Sequence, residues 1–270
     1  MPGLRRYAGD PRAYVRFHSA LGAYAVRRPH RLAFAAREAL GRGGVRRYPL
    51  RHDGLQFTVR HGVGDAWIVD EVFNRAVYDA PADVRRVLDA LARPLRIVDL
   101  GAHVGAVTLR YLTRHPGSTV VAFEPNRESG GLLRATLEHN GLADRCTIVE
   151  AAAGAADGEA YLEGVSVLSH VVREGEAQPD HLGAFAEQFA GRRQAIRIVD
   201  VLPYLADADL LKMDIEGGEW DILRDPRFAA SALKAVVLEF HNLGAPGGNA
   251  RTGVIDALAA AGFTVGEPFD

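Results

Sequence analysis

The chain has 270 residues, 48% of them hydrophobic and 24% charged, with a formal net charge of −2. That composition excludes a disordered or fibrous polypeptide and leaves ample material for the core of one large domain, or of one domain plus an accessory segment. The single cysteine, Cys146, excludes a disulfide framework and a cysteine-built zinc site, and it suits a reducing cytoplasm. No run of about 18 apolar residues marks a membrane span. The arginine-bearing N-terminus lacks the apolar core of a secretion signal.

Charge is uneven along the chain. Residues 1–60 hold thirteen arginines against three acids, Asp10, Glu38 and Asp53, whereas the remainder is acidic. A basic segment of this kind suits nucleic acid, a membrane surface or an acidic partner. The plainer reading is a helical arm packed on the acidic body of its own subunit or of a neighbour, which would make it a homodimer device. Residues 11–40 read as one or two amphipathic helices broken at Pro29, and Gly41, Gly43 and Gly44 as a linker. Leu55, Phe57, Val59 and then Trp67, Ile68, Val69 read as short strands joined near Gly62 and Gly64. Asp83 to Leu91 reads as a helix set between Pro81 and Pro94.

From residue 96 the rhythm changes. Arg96–Leu100, Thr119–Phe123, Thr147–Val149, Leu210–Met213 and Ala235–Phe240 are short apolar strand candidates. Helical patterns at Val104–Arg114 and Glu128–Asn140 separate the first three. Continuously apolar strands alternating with helices predict an α/β fold with a mostly parallel sheet covered on both faces. Residues 166–195 lack a strong period and read as an insert, partly helical at 181–190. The expected organisation is a basic helical arm over residues 1–50 and an α/β domain over 51–270.

Candidate chemistry gathers where those strands end, the place where open α/β sheets bind ligands. The first end reads Asp99-Leu-Gly101-Ala-His103-Val104-Gly105. Its glycines make a tight turn into a helix and let backbone N–H groups approach a ligand. Asp99 is placed to bind a cationic amine or to order the loop. The spacing departs from the dinucleotide fingerprint G-x-G-x-x-G, so the turn alone is a weak signal. The second strand end reads Phe123-Glu124-Pro125-Asn126. A carboxylate about 20 residues past a glycine turn suits ribose hydroxyls.

The fourth strand end carries Lys212, Asp214, Glu216 and Glu219. The macrodipole explains acids in a first helical turn, and Glu219 is read that way. Strand alternation puts Lys212 and Asp214 on one face, to pair with each other or to line a pocket together. Glu239 and His241 share a face of the fifth strand. If the two strands are neighbours, Asp214, Glu239 and His241 converge, with His241 as a proton acceptor oriented by the two carboxylates. The same three residues also suit Mg²⁺ or a transition ion holding a diol, although the reading adopted has no metal. His170, in the insert, is a candidate substrate contact. The glycine-rich loop Asn242–Ala250 is a candidate lid.

Taken in order, Asp99-Leu-Gly-Ala-His-Val-Gly105, Ala122-Phe-Glu-Pro-Asn126, Leu211-Lys-Met-Asp-Ile-Glu-Gly217 and Leu238-Glu-Phe-His241 resemble the FkbM family of S-adenosylmethionine-dependent methyltransferases. The resemblance runs from about residue 55 to 265. It includes Val69–Tyr78, whose Asp-Glu-Val-Phe is similar to the family's opening region. His103 stands where the family usually has Asn, and Gly218 where it usually has Ala. The resemblance implies a Rossmann-like class I methyltransferase fold with S-adenosyl-L-methionine as cofactor. Asp99, Gly101, His103, Val104 and Gly105 would then hold the methionyl end, Glu124 the ribose with Pro125 and Asn126 beside it, and Ala151 and Ala152 the adenine, with Asp214 facing the reacting end. It also implies that the last strands of a seven-stranded sheet are missing or come from the N-terminal region.

The expected function is methyl transfer to a hydroxyl of a small molecule, a sugar or a polyketide-type natural product, by a cytoplasmic enzyme. N-methylation differs only slightly in what it asks of the base. The competing class is a nucleic-acid-directed or non-catalytic S-adenosylmethionine-binding protein that uses the basic arm. The lack of an Asn/Asp-Pro-Pro-Tyr/Phe motif, which would clamp a flipped base, argues against it.

Overall fold

The computed structural model describes residues 11–51, 54–164, 170–172, 193–242 and 244–266. The predicted helix at 181–190 and most of the predicted insert lie outside the described residues.

The N-terminal helices are α1 (Pro11–Leu21) and α2 (Arg28–Ala39), separated by a 3₁₀ turn at Gly22–Ala25. Pro29 sits in the first turn of α2, where its missing N–H is not needed. The predicted linker glycines lead straight into β1 (Gly44–Pro49), which pairs antiparallel with β2 (Gln56–His61). The predicted boundary near residue 50 therefore falls inside a hairpin. Phe34, Tyr48, Leu50 and Phe57 share one apolar core with Ile97 and Leu109, so the N-terminal region is built into the body rather than extended from it. A buried polar unit reinforces the join. His61 Nδ1 lies 2.6 Å from Glu38 Oε1, and its Nε2 lies 2.8 Å from the Tyr48 hydroxyl.

Trp67, Ile68 and Val69 are helical, not a strand. They belong to α3 (Asp65–Phe73), in which Ala66, Val69, Val72 and Phe73 are buried at helical spacing. The three-residue apolar run resembled a strand only because the longer period extends past it on both sides. The next elements are α4 (Ala82–Asp89), β3 (Arg96–Leu100), α5 (Ala106–Arg114), β4 (Thr119–Phe123), α6 (Arg127–His139) and β5 (Cys146–Val149). Then come β6 (Ala152–Gly154), β7 (Gly158–Glu163), β8 (His170–Val172), β9 (Gln194–Asp200), α7 (Leu202–Leu205), β10 (Leu210–Met213), α8 (Glu219–Arg224), α9 (Pro226–Ala229), β11 (Ala235–Leu238) and α10 (Ala250–Ala260).

The central sheet has the order β11-β10-β3-β4-β5, and all four of its pairings are parallel. Its strands are mostly apolar because both faces are covered, with the buried Asp99 and Lys212 as exceptions on β3 and β10. Ile97, Val120, Ala122 and Leu210 face a core shared with α3, α5 and α6. Val98, Leu100, Phe123, Leu211 and Met213 face a second core with α7, α8 and α10. The chain runs β3 to β4 to β5 in one direction and later β10 to β11 in the other. The gap between β3 and β10 is therefore the topological switch point.

Among the described residues the N-terminal strands pair only with each other and do not extend this sheet. The further strands come from residues 152–200 and form a separate sheet of order β6-β9-β7-β8.

Candidate active site

The turn after β3 is built for close backbone approach. Gly101 and Gly105 have φ of 76° and 86°. A Cβ on Gly101 would lie 1.9 Å from the Asp214 carbonyl oxygen, and one on Gly105 would lie 2.3 Å from Leu133 Cδ1. His103 between them is also left-handed, at φ 50°. The Val104 side chain is buried in the core, so only its backbone serves the turn.

Asp99 is fully buried rather than open to a ligand. Its Oδ2 accepts from the Thr108 hydroxyl at 2.6 Å, and Lys212 Nζ is 3.4 Å from Oδ1. These contacts tie Asp99 to α5 and to Lys212 at the end of β10. Lys212, also buried, donates to the carbonyls of Leu100 and Gly101 at 3.2 and 2.7 Å. It therefore does not pair with Asp214: β10 ends at Met213, so the alternation that put 212 and 214 on one face stops before it reaches Asp214.

The second strand end closes against the first. Glu124 is buried, and burial raises its pKa. Its Oε2 accepts from the His103 backbone N–H at 2.7 Å and its Oε1 from that of Asn126 at 2.8 Å. Asn126 caps α6 by accepting from the N–H groups of Glu128 and Ser129. The Pro125 carbonyl accepts from Gln194 at 3.3 Å. Ala151 and Ala152 are buried where the chain passes from β5 into β6.

Across the switch point, Asp214, Glu239 and His241 do come together, along with residues the sequence did not single out. The Tyr78 hydroxyl donates to Asp214 Oδ2 at 2.8 Å and lies 3.2 Å from Glu239 Oε2. Burial and these two charges push the Tyr78 pKa well above its ordinary value. Glu71, on α3, faces the same group. Burial and the charge of Glu239 raise it to about 7. Glu239 is itself raised by burial and by Asp214.

His241 is not oriented by Asp214 and Glu239 as expected. Its Nδ1 lies 2.8 Å from Glu219 Oε1 and its Nε2 lies 3.3 Å from Glu216 Oε2. Glu219 does act at the helix start, accepting from the N–H groups of Ile215 and Gly217, but it also fixes the His241 ring. Burial alone would lower the His241 pKa. The hydrogen bond to Glu219 and the charges of Glu216, Glu219 and Asp214 overcome it and raise the value to about 10. In this arrangement both ring nitrogens of His241 face carboxylates, those of Glu219 and Glu216, and not the Asp214 and Glu239 expected to orient it. Burial raises Glu216 to about 7 against the opposing pull of His241. Asp214, Glu216 and His241 offer donor atoms within 4.8 Å of one another, so Glu216 replaces Glu239 in the cation-binding set the sequence suggested.

Tyr78 and Glu71 lie in the Val69–Tyr78 segment, where resemblance to the family's opening region was the one available signal. The side chain of His170 and Leu243 of the candidate lid lie outside the described residues.

A glycine-built turn at the switch point of a parallel sheet, with a carboxylate at the next strand end, defines an α/β enzyme that binds a nucleoside-type cofactor. The Methyltransferase FkbM domain matches residues 99–265, and the chain belongs to that family. No curated protein matches the chain.

Among solved structures, an S-adenosylmethionine-dependent methyltransferase from Geobacter sulfurreducens, in complex with S-adenosyl-L-homocysteine, is 20% identical over 30% of this chain and 32% of its own, with a TM-score of 0.22. An S-adenosylmethionine-dependent O-methyltransferase from Thermotoga maritima is 17% identical over 72% of this chain and 55% of its own, with a TM-score of 0.35. Precorrin 8W decarboxylase from Methanobacterium thermoautotrophicum is 20% identical over 71% of this chain and 77% of its own, with a TM-score of 0.36. This chain spans about a third of the length of the first structures it matches. Likenesses of this size say nothing about the acceptor. Among the described residues no helix is long and apolar enough to cross a membrane.

Proposed function

We propose that this chain is an S-adenosylmethionine-dependent methyltransferase that acts on a hydroxyl of a small molecule, a sugar or a polyketide-type natural product, in the cytoplasm. The observation that supports it is the packing of the Gly101 turn against the Asp214 carbonyl. That contact puts the cofactor turn beside a group of carboxylates, a tyrosine and a histidine able to hold a hydroxylated acceptor. S-adenosylmethionine, when bound, supplies an electrophilic methyl group. The backbone of Gly101–Gly105 would seat its methionyl end, with Asp214 beside the reacting end. Glu124 and Asn126 would take the ribose, and Ala151 and Ala152 would flank the adenine. The residues present fit it, because glycines pack the turn tightly against Asp214 and Leu133 at the switch point and each Glu124 oxygen keeps a second lone pair for a ribose hydroxyl.

Glu239 is the proton acceptor in this reading. Its Oε1 accepts no hydrogen bond from a described residue, whereas both nitrogens of His241 are engaged. Glu239→Gln should keep S-adenosylhomocysteine binding and lower kcat by about 10²-fold or more, the usual loss for a general base. A fully active Glu239→Gln enzyme alongside an inactive His241→Ala enzyme would return that role to His241.

A second reading rests on the converging donors of Asp214, Glu216 and His241, which suit a divalent cation that positions the acceptor. Calorimetric titration with S-adenosylhomocysteine, with and without Mg²⁺, separates the two. Micromolar binding that is lost in Glu124→Ala and indifferent to Mg²⁺ supports the metal-free reading. A separate heat of Mg²⁺ binding, lost in His241→Ala, supports the second. No binding of the homocysteine in any arm would sink both.

A further inference from the structure

The cofactor turn is held by residues that precede the 99–265 stretch matched by the FkbM domain. Asp65, at the first turn of α3, is fully buried, and its Oδ1 lies 3.2 Å from His103 Nε2. Arg60, on β2, grips the same carboxylate, with Nε 2.9 Å from Oδ2 and Nη2 3.2 Å from Oδ1. The guanidinium reaches on to α6, donating to Ser129 Oγ at 2.9 Å and to Glu128 Oε2 at 2.8 Å.

These contacts close into a circuit. Asp65 holds the His103 ring, and the His103 backbone N–H donates to Glu124. Glu124 accepts from the Asn126 N–H, and the Asn126 side chain accepts from the Ser129 N–H. Ser129 accepts from Arg60, which returns to Asp65. The circuit passes through both strand-end loops that make the cofactor site.

It also answers a local difficulty. An ordinary residue seldom adopts a left-handed conformation, yet His103 does so at φ 50° between two glycines. In that setting its N–H donates to Glu124. A histidine reaches Asp65 through Nε2, one bond farther from the backbone than the terminal amide of the family's usual Asn.

We propose that Asp65 and Arg60 are positioning residues of the cofactor site, acting through His103, so that β2 and α3 set the geometry of the turn that receives S-adenosylmethionine. Neither touches the reacting atoms. Their effect falls on cofactor affinity rather than on the chemical step.

The test is a double-mutant cycle of Asp65→Asn and His103→Asn, read by calorimetry with S-adenosylhomocysteine and by kinetics. Asp65→Asn is expected to weaken the homocysteine Kd by about 10-fold, which corresponds to about 1.4 kcal/mol. KM for S-adenosylmethionine should rise with it while kcat stays within about twofold. The double variant should bind no worse than His103→Asn alone, because the path from Asp65 runs through the ring. A merely structural role would lower Tm and leave Kd unchanged. Independent, multiplying effects of the two substitutions would show that Asp65 does not act through His103. Either result overturns the proposal. The imidazole ¹⁵N resonances of His103 in ligand-free protein give a reading that does not depend on cofactor. They should move in Asp65→Asn, and unmoved resonances would count against the proposal even if the wild-type protein bound no homocysteine.

Discussion

Gly101→Ala should weaken S-adenosylhomocysteine binding by as much as about 10²-fold and lower Tm. Two penalties add at this position. The backbone sits at φ 76°, which costs an alanine about 1–2 kcal/mol. The new methyl would also lie 1.9 Å from the Asp214 carbonyl oxygen. The clashing atom is backbone, so no rotamer change relieves it. The turn after β3 must instead move away from the end of β10, at a cost of about 1–3 kcal/mol or more for an overpacked site. Together these amount to about 3 kcal/mol of lost stability if the turn stays in place, and to as much as about 10² in affinity if it relaxes outward and must be returned to bind the homocysteine. Gly131→Ala is the control. Gly131 is exposed in α6, and a Cβ there meets nothing within 4 Å. An alanine at a helix-interior glycine should raise stability by about 0.5–1 kcal/mol and leave binding intact. Equal homocysteine affinity in Gly101→Ala and wild type would remove the turn from the cofactor site.

The motifs at the strand ends could be read in the sequence because each is local. A continuous apolar run, a glycine or acid at its end and a helical period after it occupy about a dozen residues, and β3, β4 and β10 obey that pattern. Contacts set by return of the chain could not be read. Tyr78 meets residues 214 and 239 only because the loop after α3 passes over the carboxyl ends of β10 and β11. Glu219 looked fully explained as a helix-start acid, and it is one. That it also holds His241 depends on β11 pairing beside β10 in the observed register. The N-terminal region shows the same limit. Its charge pointed to an arm packed on the acidic body of its own subunit or of a neighbour, and could not show that the buried half of α2 and the hairpin contributes Phe34, Tyr48 and Phe57 to the main core. Net charge reports the exposed face of a helix and says little about the face that packs. The family resemblance named the turn and the strand-end acids. It could not name Arg60 and Asp65, whose part in the site begins with the departure at His103.

Lys212→Met should destabilise the protein by about 3–5 kcal/mol, the range found when one partner of a buried ion pair is removed. The Lys212 side chain is 3% exposed and that of Asp99 fully buried. Oδ1 of Asp99 has no hydrogen-bond partner and faces the ammonium alone at 3.4 Å. Methionine fills a similar volume, so the loss is electrostatic rather than a cavity. It leaves the Asp99 carboxylate with only the Thr108 hydroxyl, and the Leu100 and Gly101 carbonyls lose their donor. Stability of about 5–15 kcal/mol is typical for a folded chain, so this is a large share of it, and Tm should fall by about 10 °C. The pair is not there to maximise stability, since burying two charges gains little over apolar residues of the same size. Its ammonium holds the carbonyl of Gly101, the residue packed against Asp214, and so fixes the cofactor turn to β10. Asp99→Asn combined with Lys212→Met should therefore recover most of the stability, because no lone charge remains buried, while homocysteine binding stays weak because the turn has lost its tether. Recovery of both together would mean that Lys212 serves the core alone. An unchanged Tm in Lys212→Met would mean that the ion pair contributes nothing.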